Sequence, residues 1–149
     1  MTIERTIQTL WFPNENLIET QLKGDITQED VKYWKSTLAK AFSQIGQGTR
    51  FKILIDLYGF KAVDLATHKL YREIIPLLLA DYNWKVGYVD LFEEAKDMKF
   101  SSLLGITCIA AAHVHQDEEK INKYQERFSR ENEQFFTDPL KARAWIYAR

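Results

Sequence analysis

The chain has 149 residues, a formal net charge of −1, 46% hydrophobic residues and 28% charged residues, which is typical of one globular domain. This near-neutral balance gives no electrostatic argument for binding nucleic acid, and no apolar run is long enough for membrane insertion. The N-terminal residues lack the features of a signal peptide, and the single cysteine, Cys108, excludes an internal disulfide. We therefore expect one cytoplasmic domain over residues 1–149.

A strand hairpin and a helix open the predicted fold. Residues 6–12 and 17–23 predict two strands, because the turn residues Pro13-Asn14-Glu15-Asn16 separate them by a short distance. Thr27 predicts the N-cap of the first helix, with Asp30 as the partner in a capping box. Apolar residues then recur at three- and four-residue spacing until Gly46, a suitable C-cap.

The stretch FKILIDL, residues 51–57, predicts the central strand of the fold. Its almost unbroken apolar run is typical of a strand that is buried on both faces of a sheet. Asp64 predicts the N-cap of a second helix. Pro76 predicts a kink or break in that helix near Ile75, because proline lacks a backbone donor.

The second half of the chain predicts two further strands and a charged helical segment. Residues 84–92 predict a fourth strand, 93–100 a short helix and 106–114 a fifth strand. Residues 117–136 are highly charged with a narrow apolar stripe, which predicts one long helix that could mediate self-association. Asp138 and Pro139 then predict the start of a last helix, so the charged helical segment covers about residues 117–149.

The predicted order of elements is ββαβαβαβαα. Alternating strands and helices indicate an α/β fold with a mixed sheet of about five strands and helices packed on it. In such sheets, ligands and partners bind where strands end and helices begin. Residues 56–68, which follow the central strand, are therefore the first region to consider as a site.

Four segments, in this order, resemble the STAS superfamily in its SpoIIAA-like branch, the fold of bacterial anti-sigma-factor antagonists. They are GDITQEDV, FKILIDLYGFKAVD, WKVGYVDLF and FFTDPLKARAWI. The resemblance implies a regulatory module that works through protein contacts. It does not carry over the family's phospho-switch, because Ala66 stands where signalling antagonists have a phosphorylatable serine, and Thr67 lies one residue further on.

The candidate binding residues surround the end of the central strand: Asp56, Tyr58, Asp64, Thr67 and His68. One interpretation is a polar cluster that binds a ligand or a partner. The alternative is that Asp64 only caps the helix and Asp56 only ends the strand. In either case we expect Asp56 to be a surface group, so that Asp56→Asn leaves folding nearly intact.

Other chemistry has weaker support in the sequence. His113 and His115 share one face of a strand and could bind a metal with Asp117. Most such pairs are polar boundary residues, however, and zinc-type spacing is absent. Phosphate-loop, nucleophile-elbow and dinucleotide motifs are also absent. We therefore predict no metal, no cofactor and no enzyme activity.

Two functions remain open from the sequence. The first is a non-enzymatic STAS-like binding or regulatory module that contacts a protein partner or forms a homodimer. The second is a small carrier or sensor of an apolar, lipid-like molecule, bound in a cavity between the sheet and the second helix. The aromatic and aliphatic residues considered for this cavity are Trp11, Phe12, Trp34, Phe42, Tyr71 and residues 77–79.

Overall fold

The computed structural model describes residues 5–91, 93 and 97–149. These residues form a six-stranded sheet with helices packed on both faces. The elements in chain order are β1 (Thr6–Phe12), β2 (Leu17–Ile26), α1 (Gln28–Phe42), β3 (Arg50–Asp56), β4 (Phe60–Ala62), α2 (Leu65–Arg72), α3 (Ile74–Ala80), β5 (Thr107–Val114), α4 (Glu118–Phe128), β6 (Glu133–Phe136) and α5 (Pro139–Tyr147).

The strand order confirms the predicted α/β class and mixed sheet. The main path is β1-β2-β3-β5-β6, and the short strand β4 pairs with β2 outside this path. The pair β1 and β2 is antiparallel, as the turn residues predict, whereas β2-β3, β3-β5 and β5-β6 are parallel. The carboxyl ends of β3 and β5 therefore meet at one edge of the sheet.

The prediction of a fourth strand over residues 84–92 is wrong, because the described residues 84–91 contain no strand. Residues 84–91 form turns and a short 3₁₀ helix, Val89–Leu91. The side chains of Trp84, Val86 and Val89 are each buried in the core. Their backbone bonds locally, because the Trp84 amide donates to the Leu79 carbonyl and the Val89 amide to the Val86 carbonyl. The place beside β3 is taken by β5 instead. The helix predicted over 93–100 lies partly outside the described residues.

The single long helix predicted over residues 117–136 is also wrong, because its last part is a strand. Helix α4 ends at Phe128, and β6 pairs in parallel with β5, with Ala111 opposite Glu133. The chain turns at residues 129–132, where the carbonyl of Asn132 accepts a hydrogen bond from the Ala111 amide. Residues Glu133–Phe136 thus pair with the edge of β5 and do not extend the charged helix.

The predicted break in the second helix is present but lies upstream of Ile75. Helix α2 ends at Arg72, and α3 begins at Ile74. Pro76 has no amide hydrogen to bond to the carbonyl of Arg72, so the first helix cannot continue. In the first turn of α3 the same missing hydrogen costs nothing, because helix N-terminal amides have no partner within the helix.

The predicted helix starts are confirmed. Thr27 and Asp30 form a reciprocal capping box at α1, Asp64 caps α2, and Asp138 caps α5 with Pro139 in its first turn. Such side chains accept hydrogen bonds from amides that the helix leaves unpaired. Within the described part of the chain, no helix has both the length and the apolar character that crossing a membrane requires.

The core has two parts, one on each face of the sheet. The larger part lies under α1 and α3 and contains Trp34, Phe42, Phe51 and Leu79. The smaller part lies under α5, where Ala110 and Ala112 of β5 pack with Leu54 and Ile146. The small side chains of β5 therefore permit the close approach of α5, and β3 is buried on both faces as its apolar run predicts.

Candidate functional site

Asp56 is a buried structural group and not the surface residue that we expected. Its side chain is 3% exposed, and its Oδ2 lies 3.0 Å from Nζ of Lys23 on β2. Its Oδ1 accepts a hydrogen bond from the Tyr58 amide at 3.1 Å. The sequence does not reveal the ion pair, because it depends on the register that places Asp56 beside Gln21, two residues from Lys23.

Asp64 and Thr67 form a self-contained capping pair at the start of α2. The amide and the hydroxyl of Thr67 both donate to Oδ1 of Asp64, at 2.8 and 2.6 Å. These hydrogen bonds hold the pKa of Asp64 below its usual value. Thr67 is fully buried, so a kinase could reach its hydroxyl only if the first turn of α2 opened.

The remaining two predicted residues are Tyr58 and His68, and the His68 amide donates a hydrogen bond to the Asp64 carbonyl. Tyr58 is exposed in the loop between β3 and β4. His68 lies in α2 and lines a cavity, next to the ring of Tyr71 at a centroid distance of 5.6 Å. Of the five residues, His68 is the one that lines this cavity.

This cavity has a volume of about 90 Å³ and lies between α2 and α4, at the carboxyl ends of β3 and β5. It is half open to solvent, and most of its exposed lining is apolar. Its polar lining consists of histidine, tyrosine, lysine and arginine. The full lining is Leu57, His68, Tyr71, Arg72, Tyr88, His113, Val114, His115, Lys120, Ile121, Tyr124 and Phe135.

His115 presents a neutral hydrogen-bond donor to the cavity. Its Nδ1 accepts a hydrogen bond from the Asp117 amide at 3.0 Å, so in the neutral ring the proton resides on Nε2. Burial, followed by the positive charge of Lys120, lowers the pKa of His115 to about 4, against the opposing effect of Asp117. The ring is therefore neutral at pH 7.

Lys120 supplies a partly desolvated cation beside His115 and His68. It lies in the first turn of α4, with its ammonium 5.5 Å from the centre of the Tyr124 ring. Burial lowers the pKa of Lys120, and the carboxylate of Asp117 partly opposes this. Burial also lowers the pKa of His68, together with the charges of Lys120 and Arg72. Lys120 therefore acts electrostatically on both histidines.

The rings of His113, Tyr124 and Phe135 form an aromatic wall on the other side of the cavity, and Glu133 holds this wall in place. The ring of His113 stacks on Phe135 at 4.6 Å, and Tyr124 lies edge-on to Phe135 at 5.7 Å. His113 Nε2 lies 2.8 Å from Oε2 of Glu133, a side chain with no exposure. Together these contacts hold the wall in one position.

Glu133 is the anchor of this side of the cavity. Its Oε1 accepts hydrogen bonds from the Gly87 amide at 2.9 Å and from Arg130 Nη2 at 2.7 Å. Burial alone would raise the pKa of Glu133, but the hydrogen bonds and charges of His113 and Arg130 hold it below its usual value. Gly87 has no room for a side chain, because a Cβ atom would collide with the carbonyl oxygen of Phe128.

Sequence reasoning found part of this cavity. His113 lies in β5 and His115 directly follows this strand, and both line the cavity. Asp117 caps α4 by accepting a hydrogen bond from the Lys120 amide. In the described part of the chain, no three His, Cys, Asp or Glu side chains are placed to hold a metal ion. Lys120, Tyr88 and Glu133 were missed, although a lysine soon after two histidines was a usable signal.

The aromatic residues considered for a lipid cavity do not surround one space. Trp34 and Phe42 are buried in the larger core, where the indole of Trp34 donates to the hydroxyl of Thr20 at 2.7 Å. Phe12 packs on the opposite face of the sheet, against the smaller core. Tyr71 alone among these rings borders the cavity between α2 and α4.

Comparison with known proteins leaves the STAS resemblance a prediction. No protein-family model matches the sequence, and a search of the curated proteins finds no significant match. The function is therefore inferred from the chemistry of the cavity itself.

Proposed function

We propose that this protein is a non-enzymatic, STAS-like regulatory module that binds a small molecule in the cavity between α2 and α4. The observation that carries the proposal is the lining of this cavity, where three histidines and three tyrosines meet at the carboxyl ends of β3 and β5. Open α/β sheets commonly bind ligands at this edge. A mostly apolar cavity with a few convergent polar groups is typical of small-molecule sites.

The nature of the lining favours binding over covalent catalysis. The described lining contains no serine, threonine or cysteine that could act as a nucleophile. Cys108 lies elsewhere in β5, where burial raises its pKa and keeps the thiol protonated. The imidazole of His113 is held by Glu133 and stacked on Phe135, which suits a wall of the site better than a mobile base.

A binding module needs a surface that responds to the ligand, and α2 connects the cavity to such a surface. Its residue His68 would contact the ligand, while two exposed apolar side chains, Val63 (51% exposed) and Leu65 (69%), lie at its N-terminal end. Neighbouring exposed apolar groups often mark interaction sites. Contact with a protein partner, or with a second copy of the chain, at this place stays a prediction.

The alternative, a carrier of a lipid-like molecule, has less support. A dry cavity of about 150 Å³ is known to hold benzene, whereas this one has only about 90 Å³. Of the residues considered for a lipid cavity, Tyr71 lines this space, whereas Leu77 and Leu78 line a separate, larger groove beside α1.

Ligand binding is tested by titrating the labelled protein with a library of neutral, anionic and cationic fragments and recording amide NMR shifts. We expect at least one class to shift amides of α2, α4 and Tyr88 together. The variant His68→Trp should abolish these shifts by filling the cavity, because His68 lines it. Lys69→Trp, on the exposed neighbouring position, is the matched control and should retain them.

The proposal fails if no fragment of any charge shifts these amides. It also fails if the same shifts persist in a folded His68→Trp variant, since the ligand would then bind elsewhere. Sedimentation velocity with and without a bound fragment tests the predicted homodimer in the same samples.

A further inference from the structure

The charges around the cavity define the ligand further. Two permanently or usually charged cations, Arg72 and Lys120, belong to its described lining, and no Asp or Glu does. Glu133 lies outside the lining and is matched by Arg130 and His113. Asp117 also lies outside it and binds the Lys120 amide. Lys120 therefore places a partly desolvated positive charge at the cavity, which attracts an anion more strongly than an exposed lysine does, while the carboxylate of Asp117 acts on the same ammonium.

Several hydrogen-bonding groups of the cavity can donate to a ligand. His115 is fixed as an Nε2–H donor by the Asp117 amide, and the ammonium of Lys120 can only donate. Burial raises the pKa values of Tyr71, Tyr88 and Tyr124, so these hydroxyls stay protonated. A ligand with oxygen acceptors and a negative charge complements this set, because charge-assisted hydrogen bonds are the stronger ones.

The size and the aromatic wall limit the rest of the ligand. The volume of about 90 Å³ is smaller than that of a cavity of about 150 Å³ that holds benzene, so a fragment of roughly two to four carbon atoms suits it. Tyr124, Phe135 and Ile121 offer a hydrocarbon surface to them. A dianion without carbon, such as phosphate, would lose hydration against this surface and leave the hydrocarbon side of the cavity without a partner.

We infer that the cavity binds a short-chain organic carboxylate. Its carboxylate lies between His68, His115 and Lys120, and its carbon chain lies against Tyr124 and Phe135. This assignment rests on the proposed ligand-binding function and adds the chemical class of the ligand.

The test compares propionate with propionamide, which has the same shape without the charge, by NMR titration of the full chain. We expect propionate to bind at least tenfold more tightly than propionamide. Lys120→Gln should remove this preference, and Lys120→Arg should restore most of it. Lys123→Gln is the matched control, because Lys123 is exposed one turn away and does not line the cavity.

The pH dependence gives a readout that a purely structural role of Lys120 would not produce. Because the pKa of Lys120 is lowered from 10.5, propionate affinity should fall as the pH rises towards 10.5, and this fall should be absent in Lys120→Gln. His68 and His115 are neutral between pH 7 and 9, and the tyrosines remain protonated there, so they do not cause this change.

The possible outcomes separate this inference from the proposed function. Equal binding of propionamide and propionate, or an unchanged preference in folded Lys120→Gln, would refute the carboxylate assignment while leaving a ligand site in place. Tighter binding of inorganic phosphate than of propionate would also refute it. If no fragment of any class binds in the cavity, the proposed function itself fails.

Discussion

Two groups of polar side chains lie near the carboxyl edge of the same sheet, and they use their hydrogen bonds differently. The locked group is Asp56, Asp64, Thr67 and Glu133, whose side chains bond to other groups of the protein. The open group is His68, His115 and Lys120, which line the cavity. The sequence drew attention to three members of the locked group and, as a candidate binding residue, to His68 of the open group. The difference shows that polar residues at a strand end mark a ligand site only when their bonding capacity faces open space.

The largest effect should come from the locked group, at Glu133. Glu133→Ala should lower the free energy of unfolding by about 3–5 kcal/mol, because it leaves the buried His113 and part of Arg130 without a partner. Urea unfolding measures this loss. Glu131→Ala, an exposed neighbour, is the control and should stay within about 0.5 kcal/mol of the wild type. If Glu133→Ala lowers the free energy of unfolding only slightly, the hydrogen bonds of Glu133 do not stabilise the fold as proposed.

A smaller loss is expected at Asp56. Asp56→Asn keeps the size of the side chain but removes its ion pair with Lys23, so the unfolding free energy should fall by about 1–2 kcal/mol. Asp25→Asn, at an exposed position of β2, provides the comparison and should be near neutral. If both variants unfold at the same urea concentration as the wild type, Asp56 belongs to the surface after all.

The smallest effect belongs to the open group and depends on pH. The unfolded chain binds a proton at His115 near pH 6.5, whereas the folded chain does so only near pH 4. The stabilising contribution of neutral His115 is therefore complete above pH 6.5 and is lost as the pH falls towards 4. We expect a difference on the order of 1 kcal/mol, after discounting for solvent screening.

Urea unfolding of the wild type and His115→Gln at pH 7 and pH 5 isolates this contribution. His68 titrates in the same direction, but it is present in both proteins and cancels in the comparison. Equal pH slopes in the two proteins would mean that His115 is as solvated as in the unfolded chain.

Local signals made much of the fold predictable. Turn residues identified the hairpin, Thr27, Asp64 and Asp138 identified helix starts, and the apolar run of β3 identified a central strand. The errors lie where distant contacts decide. Residues 133–136 form β6 because they pair with the edge of β5. Trp84 and Val86 alternate with polar residues as in a strand, although their side chains enter the core from a segment without regular structure.

The site was less predictable than the fold for a related reason. The cavity combines side chains from α2, the loop of Tyr88, β5 and α4, which are far apart in the sequence. His113 and His115 could be placed on one face from their spacing alone. The proximity of Lys120 and His68 could not be predicted without the relative positions of α2 and α4. Glu133 was not considered for the site because its segment was predicted to be helical, whereas it is a strand.

The tight contact at Gly87 has a consequence for the evolution of this protein. Any side chain at this position meets the end of α4 and the carboxylate of Glu133, and the neighbouring residue is Tyr88, which lines the cavity. A substitution there would displace the tyrosine together with the loop. Related sequences that keep the proposed ligand site should therefore retain glycine here, whereas those that lose it should alter the cavity before they lose the sheet.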